Sequence, residues 1–338
     1  MNPSPAGRAP LANERPLRIA LLTHSVNPRG GVVHVLELGQ ALRARGHAVT
    51  LIAPAAPGQR LFRDTPCAVE LVAVPRASSD LTTTVRERIA ALRAHLGHWL
   101  LRQPQDVLHA HDGISANALA DLAEAGQIGG YLRTVHHVDR FEQPQVQAWE
   151  ARSIRAATQV LCVSALWAER LLAEHGIQAA QVGNGVDLAR FQPQGSPADA
   201  ALAQRLGIGD VGEHDADGVN PTDGADQPEG ARATPRPGTA GRPLILGVGG
   251  IEARKNSLGL LQGFARLRRQ LPRAQLVIAG GASLLNHDAT QTRFRAEAAA
   301  AGLAIGPRQP IVLTGALSDA DMPALYRCAD VLAMPSLL

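Results

Sequence analysis

The stretch LRIALLTHSVNPRGGVVHVLELGQALRARGHAVTLIAP, residues 17–54, decides the fold of this protein. It opens with a short apolar run typical of a buried strand, which breaks at the sequence NPRGG, residues 27–31. Apolar residues then recur at helical spacing up to Leu42, Gly46 ends the helix, and a second apolar run covers residues 47–54. Strand, glycine loop, helix and strand form a βαβ unit, which predicts a parallel sheet covered by helices on both faces.

The same alternation continues along the chain and restarts at LILGVGG, residues 244–250. We therefore expect an α/β protein with two Rossmann-like domains, the second of them incomplete. The predicted divisions are a flexible tail (1–16), an N-terminal domain (17–194), a disordered linker rich in Asp, Gly and Pro (195–242) and a C-terminal domain (243–338).

Charge and composition exclude several classes of protein. The net charge is +3, but residues 195–242 hold eight acids and four bases, so the rest of the chain is clearly basic and suits an anionic ligand. The basic residues form no stripe interleaved with aromatic side chains, so nucleic acid is not an expected partner. The chain contains no apolar run long enough to span a bilayer and no secretory signal, and its three cysteines are far apart. These features favour a cytoplasmic protein with reduced, structural thiols.

Each half opens with a strand that runs into a glycine-rich turn. Neither turn has the G-x-G-x-x-G spacing, so a dinucleotide-binding fingerprint is not supported. Two such turns in tandem nevertheless predict ligands at the carboxyl ends of the strands in both domains.

Several motifs together resemble glycosyltransferase family 4. The most specific are VGNGVDLARFQP (182–193) and GVGGIEARKNSLGLLQGFARL (247–267), and the others are PRGGVVHVLELGQALRARGHAVTLIAP, DVLHAHD, RTVHH, VLCVS, AQLVIAGG and VLTGALSDADMPALYRCADVLAMPSL. The resemblance implies the GT-B architecture and a retaining enzyme that moves a hexose from a nucleotide-diphosphate sugar to a hydroxyl acceptor. It implies no metal ion and no cofactor beyond the nucleotide sugar, and it leaves the donor base and the acceptor unidentified.

The resemblance places four residues beside the diphosphate of the donor. Gly30 and Gly31 precede a helix, where backbone N–H groups can approach a phosphate, although a simple tight turn is the alternative. Lys255, the only lysine in the chain, matches the cation that stabilises the leaving diphosphate, against the alternative of a solvated loop cation. The family's usual earlier arginine is replaced by Gly250, and Arg254 is a candidate substitute.

His136 matches the family histidine that lies beside the donor sugar, and a buried, hydrogen-bonded histidine is the alternative. A retaining enzyme of this kind needs no protein nucleophile, because the departing phosphate can accept the proton of the acceptor on the same face. Asp112 ends a predicted strand and is a weaker candidate to face the acceptor. The segment that crosses between the domains in the family matches Asn184, Gly185 and Asp187.

For two further patterns, the interpretation without a bound ion or membrane is favoured. His109 and His111 alternate on one strand next to Asp112, but the sequence identifies no third and fourth ligand, so no metal site is expected. The predicted helix 82–101 and its end carry four arginines, which leaves weak peripheral contact with an anionic membrane open beside the favoured solvated face: Arg86, Arg88, Arg93 and Arg102.

Family members carry two glutamates eight positions apart after a segment that resembles residues 335–338, and this sequence ends before them. We therefore expect a C-terminally truncated chain. The alternatives to an active transferase are an inactive fragment that at most binds a nucleotide, or a nucleotide-sugar epimerase of the same fold.

Overall fold

The computed structural model describes residues 15–209, 242–281 and 287–337. The chain divides into two compact units, Met1–Asp187 and Leu188–Leu338, called unit 1 and unit 2 below. The predicted tail lies almost wholly outside the described residues.

The described part of unit 1 contains a parallel sheet of seven strands. The strands are β1 (Arg18–Leu22), β2 (Ala48–Ala55), β3 (Ala68–Ala73), β4 (Val107–Ala110), β5 (Leu132–Val135), β6 (Gln159–Cys162) and β7 (Ala180–Gln181). The order across the sheet is β3-β2-β1-β4-β5-β6-β7, which is the doubly wound arrangement predicted from the βαβ pattern. Strands β1 and β4 are neighbours, with Ile19 opposite Val107, so the order of the strands reverses between them.

Five helices connect these strands. They are α1 (Gly30–Ala44), α2 (Leu81–Arg102), α3 (Gly113–Glu124), α4 (Pro144–Arg155) and α5 (Ala165–His175). Asp80 caps the start of helix α2, where its carboxylate accepts a hydrogen bond from the backbone N–H of Thr83. Its Leu92, Leu96 and Trp99 are buried in the largest apolar cluster of the unit, which also contains residues of β1, β4 and α3.

The described part of unit 2 contains a parallel sheet of four strands in the order β10-β9-β8-β11. The strands are β8 (Leu244–Val248), β9 (Gln275–Ala279), β10 (Ile311–Gly315) and β11 (Val331–Leu332). The helices are α6 (Pro197–Leu206), α7 (Ser257–Leu267), α8 (Asp288–Ala300) and α9 (Met322–Cys328), with a 3-10 turn at Asp319–Asp321. Here too the strand order reverses, between β8 and β11.

The prediction that residues 195–242 are disordered is wrong for the part that the structure describes. Helix α6 lies inside this segment, and its Leu202 is buried in the core of unit 2. The carboxylate of Asp199 accepts two hydrogen bonds from Arg327 on α9, at 2.6 Å from Nη2 and 2.9 Å from Nε. Burial alone would raise the pKa of Asp199, but the bonds from Arg327 and from Ser196 hold it below its ordinary value. Residues 210–241 of the predicted linker lie outside the described residues.

Among the helices that the structure describes, none is both long enough and apolar enough to cross a membrane. Helix α2, for which the sequence favours a solvated face and leaves weak membrane contact open, buries its apolar side in unit 1 as described above.

Candidate active site

Gly30, Gly31, Asp112 and His136 follow the carboxyl ends of β1, β4 and β5, three neighbouring strands of the sheet, whereas Asn184, Gly185 and Asp187 follow β7. Parallel strands end at one edge of a sheet, so the loops that follow them converge there. The strand order reverses between β1 and β4, and open α/β sheets bind ligands at the edge where such a reversal occurs.

The glycine pair stands at the start of α1, directly after the loop that follows β1. The helix begins at Gly30, and the side chain of Arg29 at its N-cap makes no capping hydrogen bond. A Cβ atom on Gly31 would lie 3.4 Å from Cδ2 of His136, whereas a Cβ atom on Gly30 would meet nothing within 4 Å. The structure therefore brings Gly31 and His136 together and leaves the space beside Gly30 open.

His136 belongs to a group of histidines at this edge. His111 Nδ1 and His136 Nε2 lie 3.3 Å apart, and the ring of His34 on α1 packs edge-on against His136 with 4.7 Å between ring centroids. His109, on β4, packs against His111 at 4.1 Å between centroids and makes a hydrogen bond of 2.7 Å between its Nε2 and Thr134 Oγ1. His137, the residue directly after His136, pairs instead with Asp139, with 3.0 Å between Nε2 and Oδ2.

Burial keeps these imidazole rings neutral. It lowers the pKa of His136 to about 3 and that of His109 to about 3, with nearby cationic groups adding to the effect. It also holds the pKa of His111 well below its usual range and lowers that of His34. Neutral rings offer both a hydrogen-bond donor and a lone pair, and they place no positive charge at this edge near neutral pH.

Sequence reasoning missed His34. Its signal was its position three residues after Gly31, which places both residues on one side of α1. His34 Nδ1 also lies 3.0 Å from Asn184 Oδ1, so the predicted crossing segment touches the group through Asn184. Gly185 has nothing within 4 Å of a hypothetical Cβ atom, and Asp187 is exposed.

Asp112 has structural contacts that sequence reasoning did not foresee. Its carboxylate caps α3 by accepting a hydrogen bond of 2.8 Å from the backbone N–H of Ser115 and one of 2.6 Å from the Ser115 hydroxyl. Both carboxylate oxygens thus already have a partner in the helix cap. A role facing the acceptor stays a prediction.

In unit 2, Lys255 lies at the carboxyl end of β8. It lines a depression together with residues of the turn after β8 and of the segment after β11, where the strand order reverses. The other lining residues include Gly249, Gly250, Ser257, Met334, Pro335 and Ser336. A Cβ atom on Gly249, which has φ +114°, would lie 3.0 Å from Cε of Lys255. Because Gly249 has no Cβ atom, the side chain of Lys255 can lie directly against it.

Burial lowers the pKa of Lys255, and the neighbouring charge of Arg254 lowers it further. Arg254 itself does not line the depression; its Nη2 lies 3.3 Å from Oε2 of the buried Glu252. The structure therefore places Lys255, and not Arg254, at this surface. A side chain at position 250, the usual arginine position, would begin 3.0 Å from the carbonyl oxygen of Gly281, so that position is closely packed.

Comparison with known proteins identifies the family. The family described as Glycosyltransferase Family 4 matches residues 28–190, and the family described as Glycosyl transferases group 1 matches residues 235–338. A GDP-mannose-dependent alpha-(1-6)-phosphatidylinositol monomannoside mannosyltransferase of Mycobacterium tuberculosis is 26% identical over 330 residues, which cover 94% of this chain and 72% of that protein. The enzyme of the same name from Mycolicibacterium smegmatis is 28% identical over 156 residues, or 46% of this chain and 38% of that protein.

Among solved structures, the sucrose-phosphate synthase of Thermosynechococcus elongatus is similar with a TM-score of 0.64 and 20% identity, over 95% of this chain and 75% of that one. At this identity the likeness shows the fold. Together with the two family matches, it leads to one conclusion: the chain belongs to the glycosyltransferases of family 4 and has the α/β GT-B fold, with two Rossmann-like units.

Proposed function

We propose that this protein is a retaining glycosyltransferase that moves a hexose from a nucleotide-diphosphate sugar to a hydroxyl group of its acceptor. The observation that carries the proposal is the place of Lys255 in the depression at the carboxyl end of β8. Such a crevice is where doubly wound sheets hold nucleotides, and the half-buried ammonium supplies the positive charge that a diphosphate needs.

The diphosphate subsite has a second component in the start of α7. Asn256, at the N-cap, adopts a left-handed conformation with φ 53° and makes no side-chain capping bond. The first N–H groups of a helix carry partial positive charge and bind phosphate well. Lys255 stands immediately before this terminus, so a fixed cation and backbone donors serve the same anionic group.

Chemistry at the sugar then needs no protein nucleophile. The bond between the anomeric carbon and the diphosphate oxygen breaks, the acceptor oxygen bonds to the same face of that carbon, and the acceptor proton passes to the departing diphosphate. Lys255 stabilises the negative charge that develops on the leaving group. Arg254 acts at most through its charge, since its guanidinium is bonded to Glu252.

Unit 1, considered by itself, offers a neutral surface suited to sugar hydroxyls. His136, held by Gly31 and His111, presents an imidazole whose pKa burial lowers to about 3. A neutral ring hydrogen-bonds sugar hydroxyls without repelling the positive charge of an oxocarbenium-like transition state. The open space beside Gly30 at the start of α1 leaves room for an anionic or sugar group there.

The mycobacterial relatives are named for GDP-mannose, so GDP-mannose is the first donor to test. The test is a radiolabelled assay of transfer and donor hydrolysis with GDP-, UDP- and ADP-hexoses, preceded by calorimetry with GDP and UDP. We expect one nucleoside diphosphate to bind and its sugar to be transferred or hydrolysed. If a nucleoside diphosphate binds but no donor reacts, the chain is a nucleotide-binding module; if neither binds, the proposal is wrong.

A further inference from the structure

We propose that Glu252 is a positioning residue that withholds Arg254 from the diphosphate subsite of unit 2 and thereby sets how tightly a nucleoside diphosphate is held. The inference rests on the proposed function, because it takes the depression beside Lys255 as the place of the diphosphate. Glu252 and Arg254 both lie in the loop between the end of β8 and the start of α7.

Glu252 is a buried acid beside a subsite proposed for an anion. It is 7% exposed, and its Oε1 lies 3.6 Å from where a Cβ atom on Gly250, a residue that lines the depression, would stand. A buried carboxylate costs free energy unless it is paired, and a carboxylate near a diphosphate also repels it. This acid therefore works against the binding of a diphosphate, and its place in the loop needs another reason.

The carboxylate is not what holds the loop together. The backbone N–H of Glu252 donates a hydrogen bond of 3.1 Å to the Ser257 hydroxyl, which lies 3.3 Å from the carbonyl oxygens of Gly250 and Glu252. These bonds fix the turn through backbone atoms and through Ser257, which is 4% exposed. The carboxylate instead meets Arg254, with 3.3 Å between Oε2 and Nη2, and His287, with 3.9 Å between Oε1 and Nε2.

The pair of Glu252 and Arg254 is looser than a structural ion pair in the same unit. Charge-assisted N–H···O bonds are about 2.7–2.9 Å long, and Arg327 bonds to both oxygens of the buried Asp199, at 2.6 and 2.9 Å. Arg254 makes one bond of 3.3 Å to Glu252, and its side chain is 41% exposed. A single long bond to an exposed guanidinium contributes little, so Arg254 can turn to another anion once Glu252 loses its charge.

Arg254 stands close to the lining of the depression. Its carbonyl oxygen accepts a hydrogen bond of 3.1 Å from the backbone N–H of Leu337, the neighbour of Ser336 in the lining. Arg254 also directly precedes Lys255. Burial lowers the pKa of Lys255, the charge of Arg254 lowers it further, and the charge of Glu252 opposes both effects. Both charges of the pair thus act on the cation of the subsite.

Weak retention of a nucleoside diphosphate suits an enzyme that must release it after each transfer. The usual arginine position of the family is Gly250 here, and Arg254, the candidate substitute, is bonded to Glu252. Lys255 is thereby left as the cation in direct reach of the diphosphate. Product release limits the turnover of many enzymes, so a carboxylate that withholds a second cation favours turnover over affinity.

The test is calorimetry with GDP and with UDP on four forms of the full chain: unchanged, Glu252→Gln, Arg254→Ala and the double variant. Glutamine keeps the shape of the side chain and removes its charge. We expect Glu252→Gln to tighten binding about 10-fold, since a hydrogen bond between Arg254 and a charged group is worth about that much. Arg254→Ala should weaken binding about threefold or less in the unchanged chain, but about 10-fold or more beside Glu252→Gln. A merely structural role of Glu252 would give the opposite sign, because a disordered loop binds more weakly.

Glu297→Gln is the matched control, because Glu297 pairs with Arg293 at 2.7 Å on α8 and does not line the depression. It should bind GDP and UDP as the unchanged chain does. If Glu252→Gln does not fold in a circular dichroism melt, Arg254→Ala alone decides: a loss of about threefold or less supports the inference, and a loss above about 10-fold overturns it.

The outcomes separate this inference from the proposed function. If the unchanged chain binds GDP or UDP, but Glu252→Gln binds no tighter or Arg254→Ala has equal effects in both backgrounds, the inference is wrong and the proposed function stands. If neither GDP nor UDP binds any of the four forms, the proposed function is wrong and the inference falls with it.

Discussion

Replacement of Gly249 by alanine tests how unit 2 holds its cation. A methyl group there would lie 3.0 Å from Cε and 3.4 Å from Nζ of Lys255. Carbon atoms in contact keep about 3.5–4.0 Å apart, so the lysine should withdraw by about 0.5–1 Å. Two unit charges 4 Å apart at an effective dielectric constant of 20 attract by about 4 kcal/mol, and separation to 5 Å removes about 0.8 kcal/mol. We therefore expect Gly249→Ala to weaken GDP binding about fourfold.

The same substitution should lower stability for a separate reason. Gly249 has φ +114°, a conformation that costs a residue with a Cβ atom about 1–3 kcal/mol. Gly302→Ala is the control within unit 2, because Gly302 has φ +69° and open space around it. It should cost about 1–2 kcal/mol in urea denaturation and leave the affinity for GDP, measured by calorimetry, unchanged. Equal weakening of GDP binding by both substitutions, or by neither, would refute the place given to Lys255.

Three further changes test the packing of unit 2. Asp199→Asn should lower the free energy of unfolding, measured in urea, by about 3 kcal/mol, because Arg327 loses its charged partner in a largely buried site. A loss below about 0.5 kcal/mol would contradict the importance of this ion pair. Arg327 and Ser196 hold the pKa of Asp199 below its ordinary value, so the contribution of this carboxylate to the free energy of unfolding should be complete above about pH 4. It should disappear as the pH falls through the lower pKa of the folded state. Asp199→Asn should lack this acid-dependent loss of stability, and identical stability profiles in acid for the variant and the unchanged chain would contradict the prediction. Gly280→Ala should prevent unit 2 from folding normally, since its methyl group would lie 2.3 Å from the backbone nitrogen of Gly250. Gly263→Ala, on the open side of α7, should instead raise stability by about 0.5–1 kcal/mol. A thermal melt compares the two variants, and similar melting temperatures would contradict the prediction.

Most strands of both units were predictable because they are short apolar runs, whereas β7 (Ala180–Gln181) is two exposed residues and was not predicted. The predicted strand 244–250, for example, is β8 at Leu244–Val248, and the predicted order of elements after it is the observed one. Parallel pairing followed from the alternation with helices, since a crossover returns each strand in the same direction.

Helix α6 was missed because the acids, glycines and prolines around it dominate the composition of its segment. Its local signal was present: Ser196 and Asp199 form a capping box, with each side chain bonded to the other residue's backbone or side chain. That spacing marks a helix start even inside a polar stretch. What no local pattern contained was the partner of Asp199, because Arg327 lies more than a hundred residues further along the chain.

The site was predictable residue by residue but not as an arrangement. Family resemblance selected Gly31, His136 and Lys255 by their motifs. It could not show that His34 and His111 meet His136, because the three come from separate elements that only the folded sheet brings together. Nor could the sequence show that Arg254 turns to Glu252, since neighbouring residues in a loop point in directions that packing decides.

The most direct test of the central claim is the rate and stereochemistry of sugar transfer by the unchanged chain and by Lys255→Ala. With a radiolabelled nucleotide-diphosphate hexose that the chain accepts and an acceptor that it glycosylates, we expect a product whose anomeric configuration, measured by nuclear magnetic resonance, is that of the donor. Loss of a cation about 4 Å from the diphosphate should lower kcat/KM by about 10³-fold, while Arg269→Ala, an exposed base on the same unit, should leave it unchanged. A product of inverted configuration, or a Lys255→Ala variant as active as the unchanged chain, would contradict the account.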